Sequence, residues 1–126
     1  MTKLDARILV VDDEPAVRRT IRRMLVHLGY RNIDENDGTS ILGTLKSHPY
    51  DLVICDWQMA PHTGLDVLEF VRGDDDLKSL PFIMLTGETA AAAVTAAASS
   101  GASDYIAKPF STRTLGTKVE RALAPK

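Results

Sequence analysis

The sequence predicts an α/β fold, a doubly wound parallel sheet with helices on both faces. Three observations carry that expectation. Short apolar runs recur at Ile8-Leu9-Val10-Val11, Leu52-Val53-Ile54-Cys55 and Phe82-Ile83-Met84-Leu85, and runs of this length bounded by turn signals read as strands buried on both faces. Between them lie stretches with apolar residues at steps of three and four, the period of a helix with one buried side. The two signals alternate five times along the chain, which implies right-handed crossovers and a parallel sheet.

The first strand, Ile8 to Val11, is cut off by Asp12-Asp13-Glu14. Pro15 suits the first turn of a helix, where its missing N–H costs nothing. That helix sets Val17, Ile21, Met24, Leu25 and Leu28 on one side, and Gly29 ends it. Arg18, Arg19, Arg22 and Arg23 crowd the same helix, either as a solvated face or as a docking patch for an acidic partner. A weak second strand follows at Asn32 to Glu35. Asp37-Gly38-Thr39 reads as a turn and cap before a helix with Ile41, Leu42 and Leu45. Pro49 breaks the chain ahead of the third strand, Leu52 to Asp56.

Pro61 and Gly64 mark a loop, and Leu65, Leu68 and Val71 give a third helix. Gly73-Asp74-Asp75-Asp76 lacks the ligand spacing of an EF-hand and reads as a solvated loop. The fourth strand runs to Leu85 and ends on Thr86-Gly87. Thr89 is placed to cap a fourth helix that is nearly all alanine from Ala90 to Ala98; alanine is the best helix former, so the biased composition needs no disorder to explain it. Gly101 closes that helix. The fifth strand, Asp104 to Ala107, ends on Lys108-Pro109, and Ser111 caps a last helix with Leu115, Val119 and Leu123.

Composition sets bounds on function. The 126 residues suffice for one domain around one core. A net charge of −2 offers no basic surface for nucleic acid or an acidic membrane. One cysteine, Cys55, excludes an internal disulfide and fits a reducing compartment. The first apolar run is too short for a signal peptide or a membrane span, so the cytoplasm is the expected location.

Four strands end on polar, reactive side chains: Asp12-Asp13, Asp56, Thr86 and Lys108. In a parallel sheet all carboxyl ends share one edge, where open α/β sheets bind ligands. Two carboxylates ~5 Å apart at an effective dielectric of ~20 repel by roughly 3 kcal/mol, so a cluster of three calls for a proton or a cation. Lys108 supplies one positive charge. An all-oxygen site suits Mg²⁺, whereas His27, His48, His62 and Cys55 show no zinc spacing. Neutralised in this way, Asp56 can attack phosphorus and form an acyl phosphate, with Lys108 and the Thr86 hydroxyl on other phosphoryl oxygens.

With those residues in place, the chain resembles the response-regulator receiver domains of two-component signalling over its whole length. The matching stretches are Ile8 to Asp13, Asp51 to Met59, Phe82 to Glu88 and Gly101 to Phe110. Within that family it is most similar to the single-domain chemotaxis type. The resemblance implies a flavodoxin-like sheet of order 2-1-3-4-5 with five helices, and one receiver domain over 1–126 without an output domain. It implies that Asp56 is the phosphoacceptor and that Asp12, Asp13, Asp56 and the Gln58 backbone carbonyl bind Mg²⁺. Thr86 and Tyr105 become a switch pair, Lys108 holds a phosphoryl oxygen with a cis bond to Pro109, and Gln58 and Glu88 tune phosphate lifetime. Departures occur beside the pocket: Ala60 stands where proline is usual, Pro61 comes one place later, and His62 and Thr63 replace a common methionine and aspartate.

The implied partner upstream is a histidine kinase or a histidine phosphotransfer protein. Downstream, the face of the alanine-rich helix, fifth strand and last helix would bind a target. Tyr105 and Lys118 match positions that chemotaxis regulators use with the flagellar motor switch, although the alanine-rich helix carries no lysine. Alternatives are a phosphorelay intermediate or phosphate sink docking through the arginine-rich helix, and a structural receiver that dimerises through its alanine-rich face. A small aspartyl-phosphate phosphatase shares the chemistry, but the chain has no room for a cap domain. The expected protein is a monomeric signalling protein that catalyses only its own phosphorylation and dephosphorylation.

Overall fold

A computed structural model of the chain describes residues 3–59, 62–87, 99 and 101–124. Five parallel strands form one sheet: β1 (Arg7–Val11), β2 (Asn32–Asn36), β3 (Leu52–Asp56), β4 (Phe82–Thr86) and β5 (Asp104–Ala107), in the order β2-β1-β3-β4-β5. The parallel order is the flavodoxin-like one. β1, β3 and β4 lie inside the sheet and β3 and β4 are buried at every residue, which is why their sequences are continuously apolar rather than alternating. β2 is an outer strand in which only Ile33 is buried, matching its weak signal.

Four helices are described: α1 (Pro15–His27), α2 (Ile41–Ser47), α3 (Gly64–Gly73) and α4 (Thr112–Leu123). The expected alanine-rich helix and its Thr89 cap lie outside the described residues. Strand side chains divide between the faces. Leu9, Val11, Val53, Cys55, Phe82 and Met84 pack with α2 and α3, while Ile8, Val10, Leu52, Ile54, Ile83, Leu85 and Ile106 pack with α1 and α4. Both faces are therefore covered, as a parallel sheet requires.

Helix ends follow local chemistry. α1 starts on Pro15 and closes with Gly29 at φ 102°, its N–H donating to Val26 O at 3.0 Å while the Tyr30 N–H reaches back to Leu25 O at 3.0 Å. This is the reciprocal pair that a left-handed residue after a helix provides. α4 is capped by Ser111, whose Oγ accepts from the Thr114 N–H at 3.1 Å.

Several details differ from the sequence expectation. A short 3₁₀ turn, Lys3–Asp5, precedes β1. Ser40, not Thr39, precedes α2, and it makes no side-chain cap; Thr39 is instead folded onto Asp37 Oδ1. Gly64 is the first residue of α3 rather than a loop residue, and the buried face of that helix is Gly64, Val67, Leu68 and Val71, with Leu65 half-buried. The cap there is Thr63: its side chain accepts from the Asp66 N–H at 3.1 Å, and Asp66 Oδ2 accepts from the Thr63 N–H at 3.0 Å. The arginines of α1 also divide. Arg18 and Arg22 turn to β2 and Glu35, Arg18 half-buried and Arg22 exposed like Arg19 and Arg23. The acidic loop is partly tied, since Asp74 accepts from Lys46 Nζ at 2.8 Å.

Candidate functional site

The crossovers deliver the ends of β1, β3, β4 and β5 to one edge of the sheet. Asp12 continues β1 by donating its N–H to Asn36 O at 3.1 Å. Its side chain is 0% exposed, and Oδ1 accepts from the Glu14 N–H at 2.9 Å. The Arg18 guanidinium donates to the Asp12 carbonyl at 2.6 Å. That bond locks the turn between β1 and α1, a role the arginine cluster did not reveal as a sequence pattern.

Asp56 is the last residue of β3 and is 6% exposed. The next residue, Trp57, donates its N–H to Leu85 O at 2.7 Å and accepts from the Gly64 N–H at 2.9 Å. α3 is thereby drawn against the strand end. A Cβ at Gly64 would stand 2.3 Å from Asp56 O and 2.9 Å from Trp57 Cα. Only glycine allows this approach. The sequence reading did not assign Gly64 to the site; the available signal was a lone glycine just before an apolar helical period.

Lys108 follows β5, donates its N–H to Thr86 O at 2.8 Å, and precedes Pro109 through a cis bond. Its Nζ lies 3.2 Å from Asp56 Oδ1 and 3.4 Å from Asp12 Oδ2. Carboxylate oxygens of Asp12, Asp13 and Asp56 all lie within 4.8 Å of one another. Asp13 is the exposed member of the three. Thr86 closes β4 and is buried, while Tyr105 is 40% exposed. Gln58 is exposed in the loop after β3. Glu88, Ala60 and Pro61 lie outside the described residues.

The electrostatics follow from this geometry. Burial pushes the Asp56 carboxyl above the usual carboxylate range, the neighbouring Asp12 adds to the rise, and Lys108 opposes it. Burial works against the Lys108 charge, yet Asp56 and Asp12 together push its ammonium above the ordinary lysine value. The Cys55 thiol, fully enclosed beneath, is pushed well up by burial and then by Asp56 and Asp12, so it is a neutral core thiol. One ammonium against three carboxylates leaves an excess of negative charge on oxygen donors alone. That donor set fits a hard divalent cation such as Mg²⁺ and not a thiolate- or imidazole-seeking metal. His27 and His48 sit exposed at helix ends, away from this cluster.

Comparisons with known proteins agree with the geometry. Residues 8–120 match the model of the response regulator receiver domain. The chain is 40% identical over 116 residues to the chemotaxis protein CheY of Pseudomonas aeruginosa, covering 91% of this chain and 94% of that one. A response regulator from Chloroflexus aurantiacus superposes with a TM-score of 0.91 at 30% identity, covering 96% of this chain and 99% of that one. The receiver domain of a Pseudomonas aeruginosa sensor histidine kinase, with a magnesium ion coordinated in its active-site cleft, superposes with a TM-score of 0.85 at 27% identity, covering 94% and 98%. In sequence and fold, the chain belongs to the response regulator receiver domain family.

Proposed function

We propose that Asp56 accepts a phosphoryl group from a phosphohistidine of a sensor kinase, and that the modified chain then binds a downstream protein through the face that includes β5 and α4. The observation that carries this reading is the Asp56 carboxylate at the end of β3, with Lys108 Nζ 3.2 Å away and two further carboxylates beside it. A carboxylate oxygen of Asp56 attacks phosphorus, the P–N bond to the histidine breaks, and the imidazole leaves with the bonding pair. Lys108 pairs with the incoming phosphoryl oxygens as a point charge, and Thr86 donates its hydroxyl to another. Asp12, Asp13, Asp56 and the Gln58 carbonyl would hold Mg²⁺. When bound, that ion would supply positive charge that offsets the carboxylates and the phosphoryl group. The magnesium described in the kinase receiver supports the same use here.

In this reading Thr86 and Tyr105 couple the site to the output face, and Gln58 and Glu88 tune how long the acyl phosphate lasts. The chain acts as a monomeric receiver in the cytoplasm. Among the described residues no helix is long and apolar enough to cross a membrane. Similarity to a chemotaxis protein favours a messenger. Similarity to a kinase receiver supports a second reading, a relay intermediate or phosphate sink.

One experiment tests the site and a second separates the two readings. Labelling by acetyl phosphate with Mg²⁺ is lost in Asp56→Asn, and labelling at the wild-type rate would overturn the site assignment. A pull-down compares protein locked with beryllium fluoride and Mg²⁺ against Asp56→Asn. Retention of a flagellar motor-switch or other non-kinase protein by the locked form alone supports the messenger. Recovery of only kinases or histidine phosphotransfer proteins, with either form, supports the relay.

A further inference from the structure

We propose that Asp104 and Lys118 form a clamp that holds the Tyr105 ring outside the sheet edge, setting how often the ring can turn inward. The inference deepens the switching role just given to Tyr105 and rests on it for its consequence. β5 is an outer strand. Ile106 packs with Leu115 and Val119 of α4, so by strand alternation Asp104 shares the α4 face and Tyr105 belongs to the opposite one. That opposite face is also the one of Thr86 and Met84, since Tyr105 pairs with Met84 and Ala107 with Thr86.

Lys118 nevertheless reaches Tyr105. Its Nζ lies 5.3 Å from the ring centre while also lying 2.8 Å from Asp104 Oδ1. The contact therefore wraps around the outer edge of β5. Asp104 anchors it: Oδ1 also accepts the Tyr105 N–H at 2.9 Å, and Oδ2 lies 3.4 Å from the Arg121 guanidinium. The side chains of Lys118 and Asp104 are both largely shielded from solvent, at 24% and 14% exposed, whereas Arg121 is open at 66%. The ammonium is thus held over the aromatic face by a partner on the strand itself. To approach Thr86 the ring must leave this cation. With the ring itself 40% exposed, such a contact biases the equilibrium by about two- to fivefold towards the outward position.

The test uses the full chain carrying 3-fluorotyrosine, without phosphoryl donor or Mg²⁺, with the Tyr105 resonance identified by its loss in Tyr105→Phe. The solvent isotope shift of that fluorine reports ring exposure. In Lys118→Met the shift is expected to fall, as the inward population rises about two- to fivefold. Asp104→Asn, which unmoors the lysine, moves it in the same direction, and Lys118→Arg, which keeps a cation over the ring, restores the wild-type value. An isotope shift in Lys118→Met equal to wild type overturns the clamp. Acetyl phosphate labelling of the wild-type chain, run in parallel, decides the phosphoacceptor reading separately, because the fluorine measurement involves no phosphoryl transfer.

Discussion

Asp56 carries its charge in a place that resists charge. Burial and Asp12 raise its pKa, and Lys108 only partly compensates. The folded protein therefore binds the Asp56 proton more tightly than the unfolded chain does. Above both pKa values the ionised carboxylate is a standing penalty on folding, and the penalty is relieved as pH falls through the folded value towards the ordinary one. In metal-free buffer at neutral pH, Asp56→Asn is expected to raise unfolding stability by about 1 kcal/mol. The gain should shrink on acidification and vanish well below about pH 4, where both states are protonated. Urea unfolding across that range checks it, and a gain that grows on acidification would contradict the assigned shift. Lys108 behaves oppositely. Its raised value means that its charge stabilises the fold until the pH passes the ordinary lysine pKa, and the contribution is lost above that. Lys108→Met should cost about 1–2 kcal/mol at neutral pH, less than at a fully enclosed pair because the ammonium is part-exposed. Combined with Asp56→Asn the cost should shrink, since the two side chains share one interaction.

At the scale of elements, the join between β3 and α3 fixes where Asp56 can point. Gly64→Ala places a methyl 2.3 Å from a backbone oxygen that cannot rotate away. It is expected to destabilise the fold by about 3 kcal/mol and to lower the rate of acetyl phosphate labelling in the fraction that remains folded. Thr63→Ala removes the cap of α3 and should cost about 1 kcal/mol, whereas Thr63→Asp, which keeps an acceptor for the Asp66 N–H, should cost little. Guanidinium unfolding of the three variants orders them. These residues also show what the sequence could and could not tell. β1, β3 and β4 were legible because total burial leaves an unbroken apolar run, and α1 and α4 because one buried side imposes a period. Gly64 reads as a loop marker in the sequence because its requirement is a contact with another element. Thr63 was noticed only as a departure, although Thr-Gly-Leu-Asp carries a cap with an acidic residue three places on. Arg18 and Arg22 were indistinguishable from Arg19 and Arg23 until β2 placed Glu35 and the Ile33 carbonyl beside one side of the helix.

Over the whole molecule, one topological rule gathers residues that stand 96 positions apart, as Asp12 and Lys108 do. Every strand runs the same way, so each crossover returns the chain to the far edge and each carboxyl end arrives at the same edge. The candidate cluster was therefore readable as soon as the strands were, even though no local pattern links its members. The balance of charge in it was not readable, because it depends on how far Lys108 reaches. Its Nζ pairs with Asp56 and Asp12 and not with Asp13, which is the exposed member of the trio. Asp13 therefore contributes repulsion to Asp56 and little to the packing of the fold. A cation that joins Asp13 to the other two should stabilise the folded chain by mass action, by about 1.4 kcal/mol at ten times its dissociation constant. Asp13→Ala should leave metal-free stability unchanged or slightly raised while abolishing that increment. Thermal unfolding of both proteins over a Mg²⁺ titration, with Ca²⁺ as comparison, measures it. The wild-type midpoint should climb with Mg²⁺ while the variant's stays level. A midpoint in the wild type that ignores Mg²⁺ to millimolar levels would remove the cation from the site and leave Lys108, among the described residues, as the counter-charge to Asp56.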